Sequence, residues 1–298
     1  MAFSFNIPMS SVRRRRSVVL GFTFGLVATV SLGHAEEFDL FILAGQSNGV
    51  GYDAAPNHLP PDEADRKIPF FFDCGDPPFD GHDSSSSNRW TVLGPQPRGW
   101  PMAVDYPNRQ YGNFSHAAGG FGPELSFARR LSHLPGIKPA IFKFAYNGTG
   151  FSNPNDWSPG QPLYRDFISR YQSALNQIEQ GGTNRVTLRA LLWIQGETDC
   201  GRGTAAYAQW FEEFITQTRA DLRCPELPVF AGFNTNFFGA TAEIVQAQQR
   251  LAANVPRVFY VETGGAKLVG PPPVAHFNAA GTLEVGDRFA RAYLEKTK

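Results

Sequence analysis

Short apolar segments alternate with longer amphipathic ones along most of the chain. Apolar runs of strand length occupy residues 38–44, 139–145, 188–194, 228–233 and 257–261. Such runs are typical of parallel strands that are buried on both faces of a sheet. Between them, apolar side chains recur every three or four residues, which predicts helices near 123–131, 163–178, 207–215, 240–253 and 279–294. The alternation predicts a three-layer α/β/α fold around a five-stranded, mostly parallel sheet.

One stretch, from residue 52 to about residue 120, breaks this alternation. It is rich in Pro, Gly, Asp, Asn and Ser and shows no sustained hydrophobic period. A loop of this length inside a compact domain is usually functional or disordered. Its aromatic side chains are too numerous for plain disorder: Phe70, Phe71, Phe72, Trp90, Trp100, Tyr106 and Tyr111. We therefore expect an ordered, loop-rich insertion after the first strand.

The first 35 residues have the pattern of an export signal. Arg13 to Arg16 form a basic segment, residues 17–32 are almost entirely apolar, and Gly33-His34-Ala35 offers small residues to a signal peptidase. The apolar run is short for a membrane span, and two glutamates follow it directly. We predict a signal peptide over residues 1–35 and one domain over residues 36–298, which would be secreted or periplasmic. The adjacent arginines also resemble a twin-arginine signal, so the export route stays open.

The charge balance argues against a nucleic-acid partner. The whole chain has 27 basic and 27 acidic side chains, and the acidic ones are in excess once Arg13 to Arg16 are removed. No basic stripe remains that could bind a nucleic acid. No second apolar run has the length of a membrane span, and no metal-ligand cluster or phosphate loop suggests a cofactor. The sequence does not indicate an oligomeric state.

Ser47 lies in the segment Gly45-Gln46-Ser47-Asn48-Gly49, directly after the first predicted strand. The segment matches the G-x-S-x-G elbow, which exposes a serine hydroxyl on a sharp strand-to-helix turn. A serine becomes a good nucleophile only if a base takes its proton. His276 is the best candidate base, because it precedes the last predicted helix and so lies at the same carboxyl edge of the sheet as Ser47. His58, His82 and His116 in the insertion are alternative cleft residues.

Five segments, taken in order, resemble one group of esterases. They are Gly45-Gln46-Ser47-Asn48, Gly120 to Glu124, Lys143 to Thr149, Trp193-Ile194-Gln195-Gly196-Glu197-Thr198-Asp199 and His276 to Gly281. With the first-strand position of the serine, they resemble the SGNH hydrolase superfamily. Within it they resemble the sialate O-acetylesterase and acetylxylan esterase branch, carbohydrate esterase family six. The resemblance implies a flavodoxin-like fold and a serine esterase that removes O-acetyl groups from acetylated sialic acid or xylan-type glycans.

The resemblance also implies roles for individual residues. Ser47 would form an acyl-enzyme, with His276 as its base. The N–H groups of Ser47 and Gly122 would bind the oxyanion together with a side-chain amide, for which Gln195 is the first candidate and Asn147 the second. The aromatic-rich insertion would lie over this site and suits an acetylated carbohydrate substrate.

The group that orients His276 stays open. The family commonly has an aspartate three residues before its histidine, and this chain has Pro273 there, which cannot ionise. Glu197, after the third predicted strand, is the favoured substitute, and Glu262 at the end of the fifth strand is an alternative. A backbone carbonyl near Pro273 could also fix the histidine tautomer, though it stabilises an imidazolium less than a carboxylate does.

The chain has three cysteines, Cys74, Cys200 and Cys224, and an exported protein can oxidise a pair of them. The predicted topology puts Cys200 and Cys224 at opposite edges of the sheet, too far apart for a disulfide. Cys74, in the insertion, is therefore the better partner for Cys200.

Two other functions stay open at this level. One is an SGNH esterase that acts on a non-sugar ester or thioester. The other is a glycan-binding protein without catalytic activity, which the missing aspartate would explain.

Overall fold

The computed structural model describes residues 35–74, 85–98, 114–154, 156–202, 204–239 and 241–297. The predicted signal peptide before Ala35 lies outside these ranges, as do His82 and the aromatic residues Trp100, Tyr106 and Tyr111. Among the helices in the described ranges, none combines the length and the apolar character that crossing a membrane requires.

In the described residues, a seven-stranded sheet forms the centre of the fold. The strands are β1 (Glu37–Gly45), β2 (Pro69–Asp73), β3 (Thr91–Val92), β4 (Pro139–Ala145), β5 (Arg185–Ile194), β6 (Val229–Gly232) and β7 (Val258–Tyr260). Their order across the sheet is β3-β2-β4-β1-β5-β6-β7. Every neighbouring pair is parallel except β2 with β3. All five predicted strands are present, as β1 and β4 to β7.

The predicted number of five strands was too low, because the insertion contributes β2 and β3. Phe70, Phe71 and Phe72 all belong to β2, and all three side chains are buried. The register pairs Phe71 with Phe142 of β4, and their rings stack at a centroid distance of 5.5 Å. These aromatic residues of the insertion therefore extend the core of the sheet.

Helices cover both faces of the sheet. They are the one-turn helix α1 (Ser47–Val50), then α2 (Glu124–Ser132), α3 (Pro162–Glu179), α4 (Thr204–Asp221), α5 (Thr241–Asn254) and α6 (Ala279–Lys296). The five predicted helices are thus present as α2 to α6. On one face α3, α4 and α5 pack against residues such as Ile42 and Trp193, and on the other α2 and α6 pack against Phe41 and Leu43. The predicted three-layer α/β/α architecture is confirmed.

The strand order determines where a site can form. β1 lies between β4 and β5, so the sheet is wound in opposite directions on its two sides. In open α/β sheets, ligands bind outside the carboxyl ends of the strands at such a switch point. Ser47 follows β1, Asn147 follows β4 and Glu197 follows β5. The topology therefore brings three of the predicted site residues to one edge.

Candidate active site

A cleft with a volume of about 620 Å³ opens at this edge of the sheet. Ser47, Asn147 and Glu197 line it at the ends of three neighbouring strands, and His276 lines it from the loop before α6. The predicted nucleophile and the predicted base therefore share one cleft. No hydrogen bond joins Ser47 Oγ to His276 within the described part of the chain, and catalytic hydrogen bonds of this kind often close only when substrate binds.

The turn between β1 and α1 places Ser47. Gly45 has a φ of 143°, and a Cβ there would lie 2.1 Å from the carbonyl oxygen of Ile194. Only glycine fits this close approach of β1 to β5. Ser47 is the first residue of α1, so its N–H has no acceptor inside the helix and stays beside the hydroxyl that would attack.

Asp53 is the partner of His276. Its Oδ2 lies 2.6 Å from His276 Nδ1, and each side chain is only 19% exposed. The ring of Tyr52 packs against the imidazole at a centroid distance of 4.7 Å. Because Nδ1 is bound to the carboxylate, Nε2 is the ring nitrogen that can serve Ser47.

The electrostatics of Asp53 favour its charged form. Burial alone would raise the pKa of this carboxyl, but hydrogen bonds with His276 and Ser115 and the nearby imidazole of His116 outweigh burial. The net effect is a pKa below the ordinary value of 3.8. Asp53 can therefore hold a proton on Nδ1 and stabilise an imidazolium.

Glu197 makes no hydrogen bond with His276, contrary to the prediction that it orients the histidine. Its Oε1 accepts hydrogen bonds from Asn48 Nδ2 at 2.6 Å and from the N–H of Asn234 at 2.9 Å. Glu262 does not take the role either, because its Oε1 accepts from the N–H of Gly264. The orienting contact is therefore supplied from the turn after α1, and not from β5, β7 or a backbone carbonyl.

Asn48 connects Glu197 to the loop that carries His276. Its Nδ2 also donates to the carbonyl oxygen of Ala275 at 2.8 Å, and its Oδ1 accepts from the N–H of Phe277 at 3.1 Å. The backbone on both sides of His276 is therefore held by one side chain, which lies next to Ser47 in the chain. This arrangement fixes the predicted base relative to the predicted nucleophile.

Asn234, after β6, supports the same loop from the other side. Its Nδ2 donates to the carbonyl oxygens of Val274 at 2.8 Å and Ala275 at 3.0 Å. Burial raises the pKa of Glu197, and the hydrogen bonds from Asn234 and Asn48 only partly oppose it. Glu197 therefore supports the loop of His276 through its hydrogen bonds with Asn48 and Asn234.

Gly122 was predicted to donate to the oxyanion, but its N–H donates to Glu124 Oε1 at 2.9 Å. Glu124 forms an ion pair with Lys143, also at 2.9 Å, and both side chains are fully buried. A Cβ on Gly122 would lie 2.3 Å from Glu124 Oε2 and 2.7 Å from Lys143 Nζ. Lys143 Nζ also donates to the carbonyl oxygen of Val50 at 2.8 Å. The glycine makes room for an ion pair that supports the end of the helix bearing Ser47.

Gln195, the first candidate for the side-chain donor, is fully buried and is turned away from this role. Its Nε2 donates to Asp199 Oδ2 at 2.7 Å. Asp199 also accepts from the N–H groups of Phe151 at 3.0 Å and Ser152 at 2.8 Å, so this pair braces the loop after β4. Asn147, which lines the cleft, is the side-chain amide that remains a candidate, together with the N–H of Ser47.

The three cysteines, all within the described residues, are free thiols, so the predicted Cys74–Cys200 disulfide is wrong. Cys74 is buried in the cluster on the face of α2 and α6, whereas Cys200 packs against the cluster on the opposite face. The sheet separates the two. Burial raises the pKa of each thiol to about 12, which keeps both protonated and unreactive. Among the described residues, no group of three His, Cys, Asp or Glu side chains could hold a metal ion.

Asp53, Asn48 and Asn234 belong to the site but were not predicted. Asp53 had one usable signal, because it is the first carboxylate after Ser47 in the chain. Asn48 was visible as part of a motif, though not as a support for His276. We find no sequence signal for Asn234.

The chain matches a known family model and is similar to several solved structures. The family model for carbohydrate esterase, sialic acid-specific acetylesterase, matches residues 37–295. Similar solved structures include a protein from Arabidopsis thaliana, at 21% identity and a TM-score of 0.63 over 88% of this chain and 99% of that one. The structure of NanS matches at 19% identity and a TM-score of 0.58, over 88% of this chain and 98% of that one. A carbohydrate acetylesterase from Xanthomonas citri matches at 17% identity and a TM-score of 0.54, over 85% of this chain and 55% of that one. The curated proteins contain no significant match.

Proposed function

The chain belongs to the carbohydrate esterase family of sialic acid-specific acetylesterases, and we propose that it removes O-acetyl groups from sugars through an acyl-enzyme on Ser47. Membership of the family makes the protein a hydrolase of ester bonds. The observation that carries the proposed mechanism is the contact between His276 and Asp53, in the same cleft as Ser47. A serine, a base and an orienting carboxylate are the groups that acyl transfer requires.

In the proposed first step, Ser47 Oγ attacks the carbonyl carbon of the acetyl ester and His276 Nε2 takes the hydroxyl proton. Asp53 stabilises the imidazolium through Nδ1. The N–H of Ser47 and the side-chain amide of Asn147 would donate to the oxyanion. When the tetrahedral intermediate collapses, the sugar oxygen leaves and takes the proton from His276.

In the second step, His276 Nε2 takes a proton from water, whose oxygen attacks the acetyl-Ser47 carbonyl. Collapse of this intermediate breaks the bond to Ser47 Oγ, which regains a proton from His276. One water is consumed, and the products are the free sugar hydroxyl and acetate. The same base serves both steps, as in other serine esterases.

The substrate is proposed as an acetylated sugar, either a sialic acid or a xylan-type glycan. The family supports this class, and the cleft combines polar donors with the aromatic rings of Tyr52 and Phe237. The alternative of a glycan-binding protein without activity rested on Pro273 in place of an aspartate. It loses that support because Asp53 supplies a carboxylate to His276.

Export of the domain is part of the proposal. It is supported by the basic segment and the apolar run before Ala35. When the full chain is expressed in a secreting host, the protein recovered outside the cytoplasm should begin at Glu36. An N-terminus that still carries Arg13 to Arg16 would contradict it.

A fluorophosphonate probe tests the proposed nucleophile. The protein should be labelled, and Ser47→Ala should lose both the label and the hydrolysis of p-nitrophenyl acetate. Thr198→Ala removes another hydroxyl of the cleft and should leave the label in place. Labelling that survives Ser47→Ala would refute the mechanism.

A substrate panel tests the sugar assignment. It compares acetylated xylan, acetylated sialic acid and simple aryl acetates at equal acetyl concentration. Release of acetate from aryl esters alone would refute the carbohydrate assignment and favour an esterase for non-sugar esters.

A further inference from the structure

The loop after β6 places two phenylalanines at the cleft. Phe237 lines the cleft together with Ser47 and His276. Phe238, next to it, is 61% exposed. The two rings have a centroid distance of 5.9 Å and an interplanar angle of 79°. They therefore form a corner of two aromatic surfaces, one inside the cleft and one outside it.

The exposure of Phe238 has a cost. Burying apolar surface stabilises a fold by about 25 cal/mol for each Å², and this ring forgoes most of that gain. Within the described residues, the other large hydrophobic side chains exposed to a similar degree are Val92 and Val269. Single exposed aliphatic residues are ordinary on protein surfaces. An exposed aromatic ring that continues the lining of a cleft is a feature of ligand sites.

The loop that carries the two rings is tied to the site. The N–H of Asn236 donates to Asn234 Oδ1 at 2.9 Å, and Asn234 Nδ2 holds the carbonyl oxygens of Val274 and Ala275 beside His276. The backbone directly before the two rings is therefore hydrogen-bonded to the residue that supports the loop of His276. A ligand group on the rings would have a defined place relative to the reacting ester.

We propose that Phe237 and Phe238 form a second sugar subsite, which binds the pyranose unit next to the acetylated one. This inference rests on the proposed function and deepens it, because it makes acetylated oligosaccharides and polysaccharides the preferred substrates over single sugars. One face of a pyranose ring consists of C–H groups, which pack on an aromatic ring while the hydroxyl groups stay in water. An aromatic surface supplies no charge, so it recognises the C–H face of the sugar and not a charged group.

The test compares substrates of different length in two series. One series is acetylated xylose and acetylated xylotetraose, and the other is O-acetylated sialic acid and O-acetylated sialyllactose. In the series that the protein hydrolyses, Phe238→Ala should lower kcat/KM for the longer substrate about tenfold. It should change kcat/KM less than about twofold for the single sugar and for p-nitrophenyl acetate. Phe238→Tyr keeps the aromatic face and should retain wild-type values.

Val92→Ala is the matched control, because it removes an exposed apolar side chain from β3 at the far end of the sheet. It should leave kcat/KM unchanged for every substrate. The subsite is refuted if Phe238→Ala lowers kcat/KM equally for all substrates. It is refuted as well if the variant leaves the ratio of kcat/KM between the longer substrate and the single sugar unchanged. It is also refuted if the wild-type protein shows no preference for the longer substrate. Failure of the proposed function looks different, since the wild-type protein would then hydrolyse neither sugar series.

Discussion

Asp53 Oδ2 lies 2.6 Å from His276 Nδ1, although 223 positions separate the two residues in the chain. Asp53 belongs to the turn that directly follows α1, the helix that begins with Ser47. The proposed nucleophile and the carboxylate that contacts His276 therefore come from one short segment, and only the proposed base comes from elsewhere. For this reason the site needs no carboxylate at the position of Pro273.

Replacing Asp53 by asparagine should lower kcat/KM for p-nitrophenyl acetate at pH 7 by about 10³–10⁴-fold. The amide cannot stabilise the imidazolium and can favour the wrong tautomer of His276. KM should change little, because the carboxylate acts in the transition state. Steady-state kinetics measures both quantities.

The control for this prediction is Glu197→Gln. The new amide oxygen can still accept the hydrogen bonds from Asn48 and Asn234, so kcat/KM should fall by less than about tenfold. A larger loss in Glu197→Gln than in Asp53→Asn would reverse the two assignments.

The stability of the protein should depend on Glu197 in a pH-dependent way. Burial raises the pKa of Glu197 above its ordinary value of 4.5, so the folded state holds this proton more tightly than the unfolded chain. The wild-type protein should therefore gain stability relative to Glu197→Gln as the pH falls from 7 towards 4.5. Urea unfolding of both proteins at pH 7, 6 and 5 measures the difference in free energy.

Asp53 serves as a control, because its contribution to stability should change with pH in the opposite direction. Its pKa lies below 3.8, so its charged form contributes stability at neutral pH, and this contribution is lost as the pH falls below 3.8. The advantage of the wild-type protein over Asp53→Asn should shrink in that range. If the difference in unfolding free energy between the wild-type protein and Glu197→Gln does not vary with pH, then ionising Glu197 does not destabilise the folded state, and the prediction is wrong.

Much of the fold could be predicted, because buried parallel strands are continuous apolar runs and their helices repeat at a fixed spacing. β2 and β3 were missed because they lie in a segment that is rich in turn-forming residues and has no sustained hydrophobic period. Ser47 and His276 could be placed by their positions after β1 and before α6. The direction of a side chain at a strand end could not be predicted, so Gln195 looked like a donor to the cleft. Asp53 was missed because its contact with His276 is not local.

Asn147→Ala should lower kcat by about 10²–10³-fold if its amide binds the oxyanion. KM should stay close to the wild-type value, since the negative charge on the oxygen develops only in the transition state. The matched control is Gly122→Ala, where a Cβ would meet Glu124 and Lys143. This variant should lose stability in urea unfolding, because its defect is packing. An Asn147→Ala variant with wild-type kcat would leave the N–H of Ser47 as the proposed donor.

The buried ion pair of Lys143 and Glu124 should be the most sensitive point of the scaffold below the site. Lys143→Met leaves Glu124 as an unpaired buried charge, and such a change costs about 3–5 kcal/mol in the free energy of unfolding. The double variant Lys143→Met with Glu124→Gln removes that charge and should recover much of the loss. Both should reduce kcat, because Val50 at the end of α1 loses its bond from Lys143 Nζ. Urea unfolding and kinetics of the two variants separate the effects. A double variant no more stable than Lys143→Met would show that packing around the lysine, and not the unpaired charge, causes the loss.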